Sequence, residues 1–235
     1  MKVFAAKNYS VVLNNEEEDN SAQQYHSKVG NIHNITYTQK KLLTIHLDEN
    51  IMPPNYYRAV VDEMMRLTED DVVQILINSH GGDYYGMLSI IESIRNTDAD
   101  VLAVITGMAA SAASIIALSC PKMIVCDGAT MMIHSLSYGT FGKESDVRSY
   151  TQFMTKQTDK VIRQTYEGFL NKKEIEEVIQ GREIWLDAEE IRERASNKEK
   201  YLLNLEKKQT REIKKKVKQL AESSNNSEAV ENTEK

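Results

Sequence analysis

Ser111, His134 and Glu183 are residue types that together can run acyl transfer. A serine hydroxyl attacks a carbonyl well only when a base takes its proton. Histidine does this near neutral pH, and a carboxylate can hold the imidazole in the accepting tautomer. Ser111 sits in Thr106-Gly107-Met108-Ala109-Ala110-Ser111-Ala112-Ala113-Ser114. The β-branched run Val101–Ile105 precedes it, and a small-residue helix over about Ala110–Leu118 follows. A serine at such a strand-to-helix corner is open in front and has helix N–H groups behind it, which favour developing negative charge. Gly81-Gly82 ends an earlier β-branched run, and paired glycines there leave backbone N–H groups free to hold an oxyanion. His134 closes Met131-Met132-Ile133-His134, and Glu183 stands in Gly181-Arg182-Glu183-Ile184-Trp185. Each feature alone has a plainer explanation: a capping serine, a tight turn, a packed core histidine, a surface acid. Their order along the chain is what gives them weight.

The elements that must position these residues are legible from periodicity. Leu42–His46 is a short strand, and Pro53-Pro54 opens an amphipathic helix carrying Tyr57, Val60, Val61, Met64, Met65 and Leu67. Val72–Ile77 is a strand, apolar except for Gln74, followed by a helix burying Met87, Leu88, Ile90, Ile91 and Ile94. Val101–Thr106, Met123–Cys126 and Thr130–His134 are further strands. The resulting β-α-β-α-β-α-β-β order predicts an α/β fold with mainly parallel strands and crossover helices. After the Gly- and Ser-containing stretch Ser135–Gly142, Lys143–Leu170 reads as one long helix with a thin apolar face, the pattern of an element that projects from the body. Lys172–Gln180 is a shorter helix stopped by Gly181, and Asp187 with Glu190 forms a capping box for the next.

Composition limits the classes available. The 235 residues suffice for one sizeable core with extensions. Hydrophobic content is 41% and charged content 27%, as in globular domains. No apolar run approaches the roughly 18 residues of a membrane span, and neither a membrane partner nor a secretory signal is expected. Cys120 and Cys126 read as reduced thiols of a cytoplasmic protein, with no disulfide, metal site or cofactor expected. The formal charge of −6 argues against a nucleic-acid partner. That charge is uneven, because Lys207, Lys208, Arg211, Lys214, Lys215, Lys216 and Lys218 make residues 201–220 basic. The expected organisation is a flexible arm over 1–35, one α/β domain over 36–195 with the long helix at about 143–170, a basic helical extension over 196–220, and a disordered tail over 221–235.

The stretches INSHGG, GMAAS, MIHS and GREIWLDAEE resemble the ClpP family of serine peptidases over about residues 40–195. Family members read close to INSPGG, GMAAS, MIHQP and DRDNFMSAEEA in the same order. The resemblance implies the ClpP/crotonase-like fold, with the long helix as a projecting handle. It implies Ser111 as nucleophile, His134 as general base, and Glu183 where the family carries aspartate. The Gly82 and Ala112 N–H groups would form the oxyanion hole. It further implies protein or peptide substrates, homo-oligomeric stacked rings enclosing a chamber, and an ATP-driven unfoldase as partner. Departures are Glu183 for Asp, His80 for proline, and Ala112-Ala113 for Met-Gly. In addition, both termini are unlike the family's.

Other readings stay open. One is a catalytically inactive structural subunit of a Clp-like ring. Another is a specialised processing peptidase such as viruses use in maturing their heads, with the basic tail gripping a scaffold or acidic partner. A Ser-Lys peptidase is disfavoured by His134 in its strand, and a crotonase-type acyl-CoA enzyme has no need of a Ser-His pair.

Overall fold

The computed structural model describes residues 2–5 and 40–231, with side chains described over 40–217. Most of the arm expected at 1–35 therefore lies outside the described residues. Its start, Lys2–Ala5, forms strand β1, paired in parallel with β5.

The sheet is built from β2 (Leu42–Leu47), β3 (Val72–Ser79), β4 (Asp100–Ala110), β5 (Lys122–Val125), β6 (Thr130–Ile133) and β7 (Ile184–Leu186). With β1 these make seven strands in the order β1-β5-β4-β3-β2, with β6 joined to the far end of β4 and β7 to β6. All pairings are parallel except β6–β7. The expected α/β class with crossover helices is what the chain adopts. β-Branched side chains explain the centre: Val73, Ile75, Ile77 and Ile105 are each at most 0% exposed. Each such burial contributes roughly 1.5–3 kcal/mol.

Helices α1 (Arg58–Met64, entered through a 3-10 turn at Pro54–Tyr57), α2 (Tyr84–Asn96) and α3 (Ala112–Ser119) are the crossovers. Asp83 caps α2 by accepting from Gly86 N at 2.7 Å. β4 is longer than its apolar run predicts, because Gly107–Ala110 continue the strand. The reason is a change of partner. Leu102–Ile105 pair with β5, whereas Met108–Ala110 pair with β6, so backbone hydrogen bonding holds the small-residue stretch extended up to Ser111.

α4 (Glu144–Tyr166) is the long polar helix, α5 (Lys172–Ile179) follows, and α6 runs unbroken from Ala188 to Glu231. The expected capping box of α6 is formed: Asp187 Oδ1 accepts from Glu190 N at 2.9 Å, and Glu190 Oε2 accepts from Asp187 N at 3.0 Å. The backbone of α6 continues across residues 221–231, a stretch whose polar composition reads as disordered.

α6 is tied to the end of α4 by Lys198. This side chain is buried and donates from Nζ to Thr165 O. Burial pushes its ammonium down from 10.5 to about 8, against a weaker upward pull from Glu167. Between those values the unfolded chain holds a proton that the folded chain has shed. Stability therefore rises with pH through that window, by about 3 kcal/mol in all, and the burial cost is in full force below pH 8. Urea midpoints of wild type and Lys198→Met at pH 7 and pH 10 check this. The gap between the two proteins should narrow as pH rises, and a constant gap refutes the assignment.

Candidate active site

Ser111 links β4 to α3 with φ 54° and ψ −124°. Among the described residues it is the one non-glycine with positive φ. Such a conformation costs on the order of 1–3 kcal/mol and persists only where the surroundings impose it. Here they do. Ser111 N donates to Met132 O at 2.8 Å on the β6 side, and Ser111 O accepts from Ser114 N at 3.0 Å on the α3 side. The sharp corner lifts the hydroxyl out of the sheet, and Ser111 is half-buried rather than capped over.

His134 directly follows β6, which the end of β4 pairs alongside the corner. Its Nε2 lies 2.7 Å from Ser111 Oγ. With the hydroxyl donating, Nε2 is the unprotonated nitrogen and Nδ1 carries the proton. That is the arrangement in which a serine can be deprotonated as it attacks.

The backbone of Gly81-Gly82 packs against the corner. Ser79 Oγ accepts from Gly81 N at 3.1 Å and donates to Glu49 O at 2.5 Å. Gly81 O accepts from Ile51 N at 2.8 Å, and Asp83 N donates to Ile51 O at 2.7 Å. Among the described residues the Gly82 N–H donates to no protein acceptor. The Ala112 N–H, in the first turn of α3, has no intrahelical partner. Gly81 has φ 96° and Gly82 φ 149°. A Cβ on Gly81 would fall 2.7 Å from Ala110 O and from Ser111 Cβ. The glycines are thus what allows this turn to approach the corner.

Glu183 is placed differently. Ile133 pairs with Ile184 in the antiparallel β6–β7 ladder, so one further step sets His134 opposite Glu183. Opposed residues of such a pair project to the same face. The Glu183 side chain is exposed, and its Oε2 accepts from Trp185 Nε1 at 3.4 Å. Among the described residues no hydrogen bond joins it to His134. The sequence thus brings Ser111, His134, Gly82 and Ala112 to one corner, with Glu183 in register beside them.

An apolar recess opens at the Ser-His pair. Met87 from α2, Ile115 from α3, Leu136, and Val161 and Ile162 from α4 line it, together with Tyr84 and Thr158. Val161 and Ile162 belong to the thin apolar face of the long helix. Nothing local marks them as facing a site, because that follows from where α4 crosses α3. Ser114 and Tyr166 also went unread as site residues, one as a small helix residue and one as an apolar position. No group of described residues could hold a metal ion. Cys120 is buried, and burial pushes its thiol up to about 12, so it is no competing nucleophile.

Comparison with known proteins adds an independent line. The family model described as Clp protease matches residues 30–195. An "ATP-dependent Clp protease proteolytic subunit" of Ligilactobacillus salivarius (strain UCC118) is 29% identical over 111 residues, covering 45% of this chain and 56% of the relative. A protein of the same description from Bacteroides fragilis is 30% identical over 96 residues, covering 40% of this chain and 44% of the relative. The chain spans about half the length of the curated relatives it matches.

Proposed function

The chain belongs to the Clp protease family, and on that premise we propose that it is a serine endopeptidase cleaving protein or peptide substrates through an acyl-enzyme. The observation that carries this reading is the 2.7 Å contact between Ser111 Oγ and His134 Nε2 at a corner with positive φ. In the reading, Ser111 Oγ attacks the scissile carbonyl while His134 Nε2 takes its proton. The carbonyl oxygen, now negative, accepts from Gly82 N–H and Ala112 N–H. Each such donor typically supplies about 2.7–4 kcal/mol at the transition state. His134 then protonates the leaving amine, and water deacylates Ser111 by the same route in reverse. The apolar recess beside Ser111 suits an apolar residue on the acyl side of the cut.

Glu183 is the proposed third member. Turning from Trp185 toward His134 would let its carboxylate accept from Nδ1–H and favour the imidazolium that forms. Glu183→Gln should lower kcat/KM for a fluorogenic peptide with leucine at the cleaved position by up to about 10⁴-fold, with the fold intact. Unchanged kinetics would remove Glu183 from the mechanism. The long Trp185–Glu183 contact is also the one observation that favours the other reading, a silent ring subunit, which requires that wild type cleave no peptide at all.

Assembly into stacked rings and docking to an ATP-driven unfoldase are part of the proposal; they follow from the family resemblance, and the relatives' description as ATP-dependent proteolytic subunits is consistent with them. Phe141, just before α4, is 99% exposed and Phe153, on α4, 55% exposed, and a neighbouring copy would cover them. No helix of the described residues is long and apolar enough to cross a membrane; a cytoplasmic location is part of the proposal.

A further inference from the structure

The carbonyl of Ser111 is held by a buried side-chain relay that reaches it from the end of α4. Ser114 Oγ donates to Ser111 O at 2.6 Å, and Tyr166 OH lies 2.6 Å from Ser114 Oγ. Both side chains are 0% exposed. Proton inventory fixes the direction. A carbonyl only accepts, so the single Ser114 proton goes to Ser111 O, and Tyr166 must donate to Ser114 Oγ. Burial pushes the Tyr166 phenol up, so it keeps its proton and remains a donor across the physiological range. Tyr166 is the last residue of α4, and its own carbonyl accepts from Phe169 N at 3.0 Å and Leu170 N at 2.8 Å. Lys198 of α6 grips the preceding carbonyl, Thr165 O.

This relay has a consequence for the oxyanion hole. Ser111 C=O and Ala112 N–H belong to one planar trans peptide, so they point in opposite directions. Pinning the carbonyl fixes ψ of Ser111 and with it the aim of the Ala112 N–H. Ser114 N and Ile115 N also donate to this carbonyl at 3.0 and 3.4 Å, so the relay adds a side-chain donor to the backbone bonds that hold the corner and keep Ser111 Oγ beside His134 Nε2. We propose that Ser114 and Tyr166 are positioning residues that aim the Ser111–Ala112 peptide, so that the end of α4 sets the oxyanion donor and the serine rotamer. The inference rests on the serine peptidase reading. It extends that reading to residues that touch neither substrate nor reacting atoms.

The test compares wild type, Tyr166→Phe, Ser114→Ala and the double variant as full-length proteins, well below their melting temperatures. Tyr166→Phe keeps the ring and its packing and deletes only the donor. The expected result is a loss of about ten- to a hundredfold in kcat with KM unchanged. The Ser111 reaction rate with a fluorophosphonate should fall in parallel. The double variant should lose no more than Ser114→Ala alone, because the two act as one unit. A lowered melting temperature with unchanged kcat and labelling rate overturns the proposal and leaves a packing role only. So do independent, additive losses. If wild type neither cleaves nor labels, the peptidase reading fails, and crystal structures of wild type and Tyr166→Phe decide the relay. A rotated Ser111–Ala112 peptide sustains it, and an unmoved one overturns it.

Discussion

Ser111→Ala is expected to abolish the proposed peptide hydrolysis, lowering kcat by about 10⁴–10⁶-fold while substrate still binds. The size follows from what is lost. Without Oγ there is no acyl-enzyme, and His134 Nε2 has no proton to take; what remains is an oxyanion hole that can only assist water. The folded state survives because the corner is imposed by backbone hydrogen bonds to Met132 and from Ser114, not by the hydroxyl. A companion variant separates chemistry from strain. Ser111→Gly is equally inactive but should be more stable than Ser111→Ala by about 1 kcal/mol, because glycine occupies φ 54° without a Cβ penalty. Thermal unfolding of the two variants checks it. Equal stabilities would mean that the corner relaxes to an ordinary φ in solution.

Gly82→Ala carries the second large effect, and here fold and chemistry fail together. An added Cβ would lie 2.7 Å from Ile51 N and closer still to the Ile51 carbonyl oxygen. Both are backbone atoms held by the Ile51–Gly81 and Asp83–Ile51 hydrogen bonds, so neither can move without breaking the turn. The φ of 149° adds strain for any residue with a side chain. The turn must therefore shift relative to Ile51 and carry the Gly82 N–H with it. The expected result is a loss of about 10²–10³-fold in kcat, the usual effect of one missing oxyanion donor, together with about 2–4 kcal/mol of stability. Steady-state kinetics and urea unfolding read the two effects separately. Retention of full kcat in a destabilised protein would remove Gly82 from the oxyanion hole.

The parts of this molecule that the sequence discloses are those set by local pattern. Apolar, β-branched-rich runs mark the strands because each strand buries at least one full face, and β2, β3, β5 and β6 begin and end within about two residues of those runs. Asp187 and Glu190 announce the start of α6 because capping is a contact over three residues. What stays hidden depends on partners distant in the chain. Gly107–Ala110 extend β4 because β6 takes over from β5 as neighbour, which no propensity of glycine or alanine foretells. Val161, Ile162 and Tyr166 have the same apolar signature whether they fill a core or face a nucleophile. Ser114 and Tyr166 stand 52 residues apart, and only the packing of α4 on α3 makes them a pair. Glu183 shows both sides. Its place opposite His134 follows from its motif and from the β6–β7 register, whereas the side chain's bond to Trp185 follows from neither.

The proposed chemistry depends on His134 activating Ser111 as a nucleophile. The most direct measurement is intact mass after treating the full-length protein with a fluorophosphonate, beside Ser111→Ala and His134→Ala. Attack by Ser111 Oγ on phosphorus expels fluoride and leaves one phosphonyl group on the serine. The account predicts one adduct per wild-type chain and none on either variant. An unmodified wild type, or an adduct that persists when Ser111 is replaced, contradicts it.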